Sequence, residues 1–247
     1  MILGAHQPNY LPWIGFFHKI AQSDKFVLAE NVQFSTQSYI NRTRIKSADG
    51  AAHWLTVPVH SGDGNLLIKD IRIDNSKNWR KKHWKTIQLN YGKSPYFDRY
   101  APFFESLFSK EWQFLADLNI ETITYVCENC SIRTPLVSGS SLKIDAENPS
   151  DRIIQMTKIA DCDAYLSGSG ASKNYLDREQ FLTAGIALKF TAFDHPAYAQ
   201  RHGKFLQGLS VIDFLFNAAD TAQKFFEIAQ SSKINSRRFD DAYRTNP

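Results

Sequence analysis

The sequence predicts a three-layer α/β fold with a mainly parallel sheet, interrupted by one β-hairpin and one helical insertion. Three observations carry this prediction. Short apolar runs alternate with helical patterns at the start of the chain, the same alternation returns after residue 148, and residues 41–74 and 77–130 break it. At 247 residues, 43% of them apolar, the chain has the size of one large domain. We expect residues 1–230 to form that domain and residues 231–247 to be a polar tail.

The first 30 residues have the pattern of a parallel βαβ unit. Residues 1–5 are an apolar run, Pro8 and Pro12 mark a loop, and apolar residues then recur at helical spacing from Trp13 to Ile20. Residues 25–29 form a second apolar run. Strand, helix and strand within this length favour a right-handed parallel crossover.

The two insertions differ in periodicity. Residues 42–46 and 53–59 alternate as strands do, around a turn at Asp49 and Gly50, and this predicts a β-hairpin. Residues 70–73 are a possible third strand of the insertion. Residues 77–130 predict three helices, separated near Pro95 and near Ser109.

The βα alternation then resumes. A helix is predicted after Asn148, a strand over 164–167, a capped helix from Asp177 with Gln180, and a strand over 187–192. Ser210 and Asp213 have the spacing of another capping box. Asp213 could also orient a histidine, but the cap is the favoured interpretation.

Composition and charge exclude several classes of protein. No apolar stretch approaches the roughly 20 residues that cross a bilayer, and no secretory signal opens the chain, so we expect a cytoplasmic protein without a transmembrane segment. Three cysteines are too few for a disulfide framework, and a net charge of +4 does not indicate a nucleic-acid partner. The basic run at 77–85 is interpreted as a solvated helix face, with a phosphorylated ligand as the alternative.

The loop after the first strand is the first candidate site. In parallel α/β sheets, ligands bind outside the carboxyl ends of the strands, and a helix N-terminus there favours an anion. The loop supplies a candidate acid or base and three candidate binding residues: His6, Gln7, Asn9 and Tyr10. A structural role for the histidine is equally compatible with the pattern.

Two further βα loops could face the same crevice. The Gly/Ser loop after residue 166 offers amides and hydroxyls for an anion, through Ser167, Gly168, Ser169, Ser172 and Tyr175, although it also resembles a plain βα loop. The loop before Ser210 adds two candidate catalytic histidines and two candidate binding residues: His195, His202, Tyr198 and Gln200. These histidines could form an acid/base site with His6. Metal binding is not predicted, because no His-x-x-x-His pair or carboxylate cluster accompanies them.

The first hairpin strand carries cations that could hold a diphosphate. The candidates are Asn41, Arg42, Arg44 and Lys46, and an exposed strand face is the alternative. Cys127 and Cys130 are interpreted as a free helical pair, because a single CxxC cannot complete a structural zinc site.

Several segments together resemble the WbqC-like protein family: HQPNYLPWIGFFHKI, NRTRIK, WLTVPV, NYGKSPYF, YLSGSGASKNYLD and HPAYAQRHGKFLQGLSVIDFLFN. The spacing of Gly4, His6, Pro8, Tyr10 and Trp13 is also similar to the phosphate-binding loop of the nucleotidyltransferase superfamily. Tyr10 and Trp13 replace both histidines of that loop, so the similarity implies a nucleotidyltransferase/Rossmann-like fold more than a shared reaction.

The family resemblance implies a role in O-antigen and other surface polysaccharide biosynthesis. It implies an enzyme that transfers an acyl or aminoacyl group from a small donor onto a nucleotide-linked amino sugar, with ATP as the candidate cofactor that activates the acid. The alternative is a non-enzymatic partner of a glycosyltransferase complex that binds a nucleotide sugar.

Overall fold

The structure is a computed structural model that describes residues 1–63, 65–168, 170 and 176–239. Its strands are β1 (Ile2–His6), β2 (Lys25–Leu28), β3 (Arg42–Lys46), β4 (Ala52–Thr56), β5 (Leu136–Ser138), β6 (Ala164–Ser167) and β7 (Ala187–Phe190). Its α-helices are α1 (Ile14–Ala21), α2 (Trp79–Tyr91), α3 (Phe97–Ser109), α4 (Leu115–Asn129), α5 (Pro149–Ile159), α6 (Arg178–Thr183) and α7 (Val211–Phe239), the last with a break at Ala218.

Five strands form a parallel sheet in the order β5-β2-β1-β6-β7. Successive side chains of a strand point to opposite faces. On β1, Leu3 and Ala5 pack in a smaller core with α5 and α6, whereas Phe26 of β2 packs in a larger core with α1, α7 and the inserted segments. The predicted three-layer α/β class is therefore confirmed.

Close strand packing explains a glycine at the centre of β1. A Cβ on Gly4 would collide with the Ser23 hydroxyl and come within 2.7 Å of the Phe26 ring. Since Phe26 lies opposite Gly4 in the parallel pair with β2 and Ser23 lies in the turn just before β2, only glycine leaves room for the strand at this position.

The inserted hairpin is antiparallel, with Arg42 opposite Thr56, and its turn uses Gly50 at a φ of +82°. The predicted third strand at 70–73 is wrong: a 3-10 turn covers Ile68–Asp70, and Arg72 and Ile73 form only isolated bridges. The physical reason is the buried Asp63 carboxylate, which accepts hydrogen bonds from the Arg72 backbone and guanidinium and so fixes a turn.

Helix α7 extends past Ser231, where the polar tail was predicted to begin, and ends at Phe239. Residues 240–247 lie outside the described part of the chain. Across that described part, no helix is both long enough and apolar enough to cross a membrane.

Candidate active site at the carboxyl edge of the sheet

The strand order creates a topological switch point between β1 and β6. From β1 the chain continues to β2 and β5 on one side of the sheet, and it returns to β6 and β7 on the other side. Connections that leave in opposite directions open a crevice at the carboxyl ends of the two central strands. His6 is the last residue of β1 and Ser167 the last of β6, so both lie at this edge.

A cavity of about 480 Å³ occupies the switch point. It is bordered by the ends of β1 and β6, by α1, by the segment after β2 and by the first turns of α5. Its described lining residues are Ala5, His6, Gln7, Lys19, Ala29, Val32, Pro149, Arg152, Ile153, Met156, Tyr165, Ser167, Gly168 and Gly170. The structure thus brings His6 and Gln7 together with Ser167 and Gly168.

His6 has the form of a neutral base in this cavity. Its Nδ1 lies 2.9 Å from the Gln7 carbonyl oxygen, which can only accept, so Nδ1 carries the proton and Nε2 is unprotonated. The ring keeps an exposed surface, and the protein around it lowers the pKa of His6, with the charge of Lys19 adding to the effect. A lowered pKa keeps this histidine neutral at pH 7, with an Nε2 lone pair that can accept a hydrogen bond, or a proton from a more acidic donor.

Lys19 is a functional candidate that the sequence reading missed. It lies on the buried side of α1, and its Nζ donates a hydrogen bond of 2.7 Å to the Ala5 carbonyl oxygen. The ammonium lies 5.6 Å from the centre of the Tyr165 ring. Burial lowers the pKa of Lys19 to about 7, because desolvation disfavours the charged form. Its position three residues after Phe16, on the apolar face, was the available sequence signal.

Arg152 is the second functional candidate that was missed. Its Nη2 donates to Asn31 Oδ1 at 3.0 Å, and Asn31 in turn donates to the Gly139 carbonyl oxygen at 2.7 Å. Its Nε is buried, with no hydrogen-bond partner among the described residues. The guanidinium is therefore held by the loops after β2 and β5 at the border of the cavity, where a carboxylate or phosphate is its natural ligand.

A neighbouring carboxylate stabilises these two loops. The Glu30 side chain accepts hydrogen bonds from the backbone amides of Gly139 and Ser140, at 2.9 and 2.8 Å. Hydrogen bonds to the 138–140 turn outweigh desolvation and lower the pKa of Glu30. The backbone that carries Asn31, whose side chain orients Arg152, is thus held in place by Glu30.

Asn9 and Tyr10, predicted to bind substrate, lie in the protein interior. The Tyr10 hydroxyl is 2.9 Å from His83 Nδ1. At Leu11 the backbone has a φ of 41°, and its carbonyl oxygen accepts hydrogen bonds from the hydroxyls of Thr43 and Ser210. The end of the loop is thereby fixed to the hairpin and to α7.

The two C-terminal histidines are not lining residues of the cavity. The His195 Nδ1 donates to the Pro196 carbonyl oxygen at 3.0 Å, and its Nε2 accepts from the Gly208 amide at 3.2 Å. The His202 Nε2 donates to the Asn90 carbonyl oxygen at 2.9 Å. Backbone groups therefore occupy both ring nitrogens of His195, and the structure does not join these histidines to His6 in one cavity.

The favoured capping role of Asp213 is wrong, because its carboxylate belongs to a buried network. It accepts hydrogen bonds from the hydroxyls of Tyr91 and Tyr198, at 3.0 and 2.8 Å. Gln200 donates to the Tyr198 hydroxyl and accepts from Lys46, whose Nζ also donates to the Lys204 carbonyl oxygen at 2.6 Å. Lys46, Tyr198 and Gln200, all predicted to bind substrate, thus connect the 191–209 loop to the hairpin and α7.

The remaining predicted binding residues lie in different environments. Asn41 is buried and donates to the Val57 carbonyl oxygen at 3.1 Å, whereas Arg42 and Arg44 are half-buried on the hairpin beside Trp54. Ser169, Ser172 and Tyr175 lie outside the described residues.

Other chemical features are less suited to catalysis. A second cavity, of about 620 Å³, lies beside the basic run of α2, and its Arg80 is already paired with Glu111. Burial raises the pKa of Cys127 and Cys130, which are free thiols. Among the described residues, no group of three or more His, Cys, Asp or Glu side chains could hold a metal ion. We therefore place the candidate site in the switch-point cavity.

Comparisons with known proteins include a family model that covers most of the residues that line this cavity, but not Ala5 and His6. The model of the WbqC-like protein family matches residues 7–225, which include Lys19 and Arg152. A protein of Mycobacterium tuberculosis (strain ATCC 25618 / H37Rv), named "Uncharacterized protein Rv1507c", is 30% identical over 224 residues, or 89% of this chain and 94% of that protein. No solved structure matches the chain.

Proposed function

Because the chain belongs to the WbqC-like protein family, we propose that it is an enzyme of surface polysaccharide biosynthesis. The reaction we propose is amide formation on the amino group of a nucleotide-linked sugar. The observation that carries the proposal is the switch-point cavity, which combines a neutral histidine, a buried lysine and an arginine oriented by Asn31. Amide formation needs a base for the proton of the attacking amine and cations for acidic groups, and this set contains both.

His6 is the general base in this proposal. The free amine of the sugar attacks the carbonyl carbon of an activated acyl group, and His6 Nε2 takes the proton that the attacking nitrogen loses. The new C–N bond forms, the bond from the acyl carbon to its leaving group breaks, and the leaving group departs with the electron pair. We propose ATP as the activating nucleotide: the carboxylate of the acid attacks the α-phosphorus of ATP, diphosphate leaves, and AMP is then the leaving group of the acyl-adenylate.

Lys19 and Arg152 bind the negatively charged groups of the reaction. Arg152 binds the carboxylate or phosphate of the acyl donor through its fork of N–H groups. Lys19, in its protonated form, stabilises the oxyanion that develops when the amine attacks, and its low-dielectric surroundings strengthen that interaction. Ser167 and Gly168, at the end of β6, are the proposed contacts to the sugar.

The test measures product from a nucleotide-linked amino sugar, ATP and a panel of small acids by mass spectrometry. We expect His6→Asn to lower turnover by about 10²–10⁴-fold, which is the usual contribution of general base catalysis. The matched control is His53→Asn, a change at an exposed histidine of the hairpin, which should leave turnover unchanged. Thermal shift with the same ligands measures whether each variant still binds.

Two results would contradict parts of this proposal. Equal turnover of His6→Asn and wild type would remove His6 from the mechanism. Stabilisation by a nucleotide sugar without product from any acid would favour the alternative function, a nucleotide-sugar-binding partner of a glycosyltransferase complex.

A further inference from the structure

The hairpin presents a surface of arginine and aromatic side chains that the proposed mechanism does not use. We call it the hairpin platform and define it by Tyr39, Arg42, Arg44 and Trp54. The Arg42 guanidinium lies 4.2 Å from the centre of the Trp54 ring, and that of Arg44 lies 5.8 Å from it. The rings of Tyr39 and Trp54 are 5.5 Å apart, and each side chain is 44% exposed. Two large aromatic side chains are thus accessible beside two cations.

The two arginines of this platform have no carboxylate partner in the part of the chain that the structure describes. Among the described residues, neither Arg42 nor Arg44 forms an ion pair, and the Nε of each is buried without a hydrogen-bond partner. Arg44 donates one hydrogen bond, of 3.3 Å, to the Gly208 carbonyl oxygen, which fixes its direction. Two adjacent guanidinium groups that form no ion pair with any described residue attract an anion with more than one charge.

The β1–α1 loop connects the platform to the cavity over a short distance in space. Gln7 lines the cavity, and the Tyr10 amide donates to the Tyr39 carbonyl oxygen at 3.0 Å. Three residues of extended chain span at most about 11 Å, so the backbone of Tyr39 lies within about 14 Å of Gln7. One extended ligand could therefore contact both surfaces.

We propose that the hairpin platform binds the nucleoside diphosphate half of a nucleotide-linked sugar, while the sugar half reaches the cavity. The base stacks on Trp54 and Tyr39, and the diphosphate accepts hydrogen bonds from Arg42 and Arg44. Aromatic side chains stack on any nucleobase, and arginine binds phosphate in a bidentate manner. This inference rests on the proposed function for its substrate class, but it is tested by binding alone.

The experiment is calorimetric titration of the full chain with uridine diphosphate, with inorganic diphosphate and with uridine. We expect uridine diphosphate to bind most tightly, because only it engages both the rings and the arginines. Arg42→Gln and Trp54→Ala should each weaken its binding by about tenfold or more. Arg42→Gln should also weaken inorganic diphosphate, whereas Trp54→Ala should leave inorganic diphosphate nearly unchanged.

A matched control is Arg99→Gln, since Arg99 also lies over an aromatic ring, that of Tyr100, at 5.2 Å. This variant should bind uridine diphosphate as the wild type does. Unchanged affinity in both platform variants would overturn the inference, whether or not the enzyme makes product. If the platform variants lose binding and wild type makes no product, the inference stands and the proposed reaction fails.

Discussion

At the scale of single residues, the cavity places two titratable groups near each other with different protonation behaviour. His6 is neutral at pH 7, because desolvation by the surrounding protein and the charge of Lys19 both lower its pKa. Lys19, with a pKa of about 7, is divided between its charged and neutral forms at that pH. The positive charge available for a carboxylate, phosphate or oxyanion therefore decreases as the pH rises through 7.

The lowered pKa of Lys19 predicts a pH-dependent stability. The unfolded chain keeps a lysine pKa near 10.5, so between about pH 7 and 10.5 the unfolded state binds more protons than the folded state. The contribution of Lys19 to the free energy of unfolding then rises with pH across this window, and it is most unfavourable below pH 7. We expect the stability of Lys19→Met relative to wild type to be highest below pH 7 and to decrease towards pH 10.5. Urea unfolding at pH 6 to 10 measures this difference.

The control is Lys69→Met, which changes an exposed lysine and should give a difference from wild type that varies little with pH. A Lys19→Met difference that is equally constant would mean that Lys19 has an ordinary pKa in the folded protein.

Sequence reasoning found His6 but not Lys19 or Arg152, and the reason is geometric. His6 ends a strand, and the carboxyl end of a parallel strand is a recognisable place for a ligand. The other two side chains reach the cavity from α1 and α5, and Arg152 is oriented by Asn31, 121 positions earlier in the chain. A pattern of neighbouring residues cannot show a contact between residues so far apart in sequence.

At the scale of elements, the Asp213 network fixes a long loop without regular structure. Tyr198 of the 191–209 loop and Tyr91 of α2 both donate to this carboxylate of α7. Desolvation raises the pKa of Asp213, while the two tyrosine hydroxyls oppose that shift by stabilising the charged form. The network thus replaces the backbone hydrogen bonds that a helix or strand would have supplied.

This arrangement predicts that Tyr198→Phe destabilises the protein. The substitution removes the hydroxyl that donates to Asp213 and receives a hydrogen bond from Gln200. A buried acceptor left without its donor costs about 1–3 kcal/mol, so the free energy of unfolding should fall by about that amount. Urea unfolding is the measurement.

Tyr96→Phe is the matched control, because Tyr96 also donates to an aspartate of α7, Asp220, but at the surface. Loss of the Tyr96 hydroxyl should change the free energy of unfolding by less than about 0.5 kcal/mol. Equal effects of the two substitutions would show that the buried network adds nothing to stability.

Periodicity predicted most elements, including the hairpin and the helices of the insertion, and it failed where contacts distant in sequence decide the structure. Strand β5 has only three residues, too few to show an alternation, and it exists because it pairs with β2. The segment at 70–73 alternates like a strand but is turned by Asp63. Asp213 has the spacing of a cap but is engaged by tyrosines from two other segments.

At the scale of the whole molecule, the sheet separates two cores of unequal extent. The larger core joins α1, the hairpin, the helices of the insertion and α7, whereas the smaller joins α5 and α6 to the other face of the sheet. The cavity lies at the margin of the smaller core, with which it shares Ile153, Met156 and Tyr165. Its lining thus includes residues of the less extensively packed side.

This asymmetry predicts that the protein opens locally before it unfolds globally. Helix α6 has only six residues, Leu182 on it is 80% exposed, and β7 is a half-buried edge strand. Elements with few buried apolar contacts open at a lower free energy than the global unfolding. In native-state hydrogen exchange, we expect amides of α6 and β7 to exchange through such an opening and those of β1 and α1 only through global unfolding. A single opening free energy, with the same denaturant dependence in all four elements, would instead show that the two cores unfold as one unit.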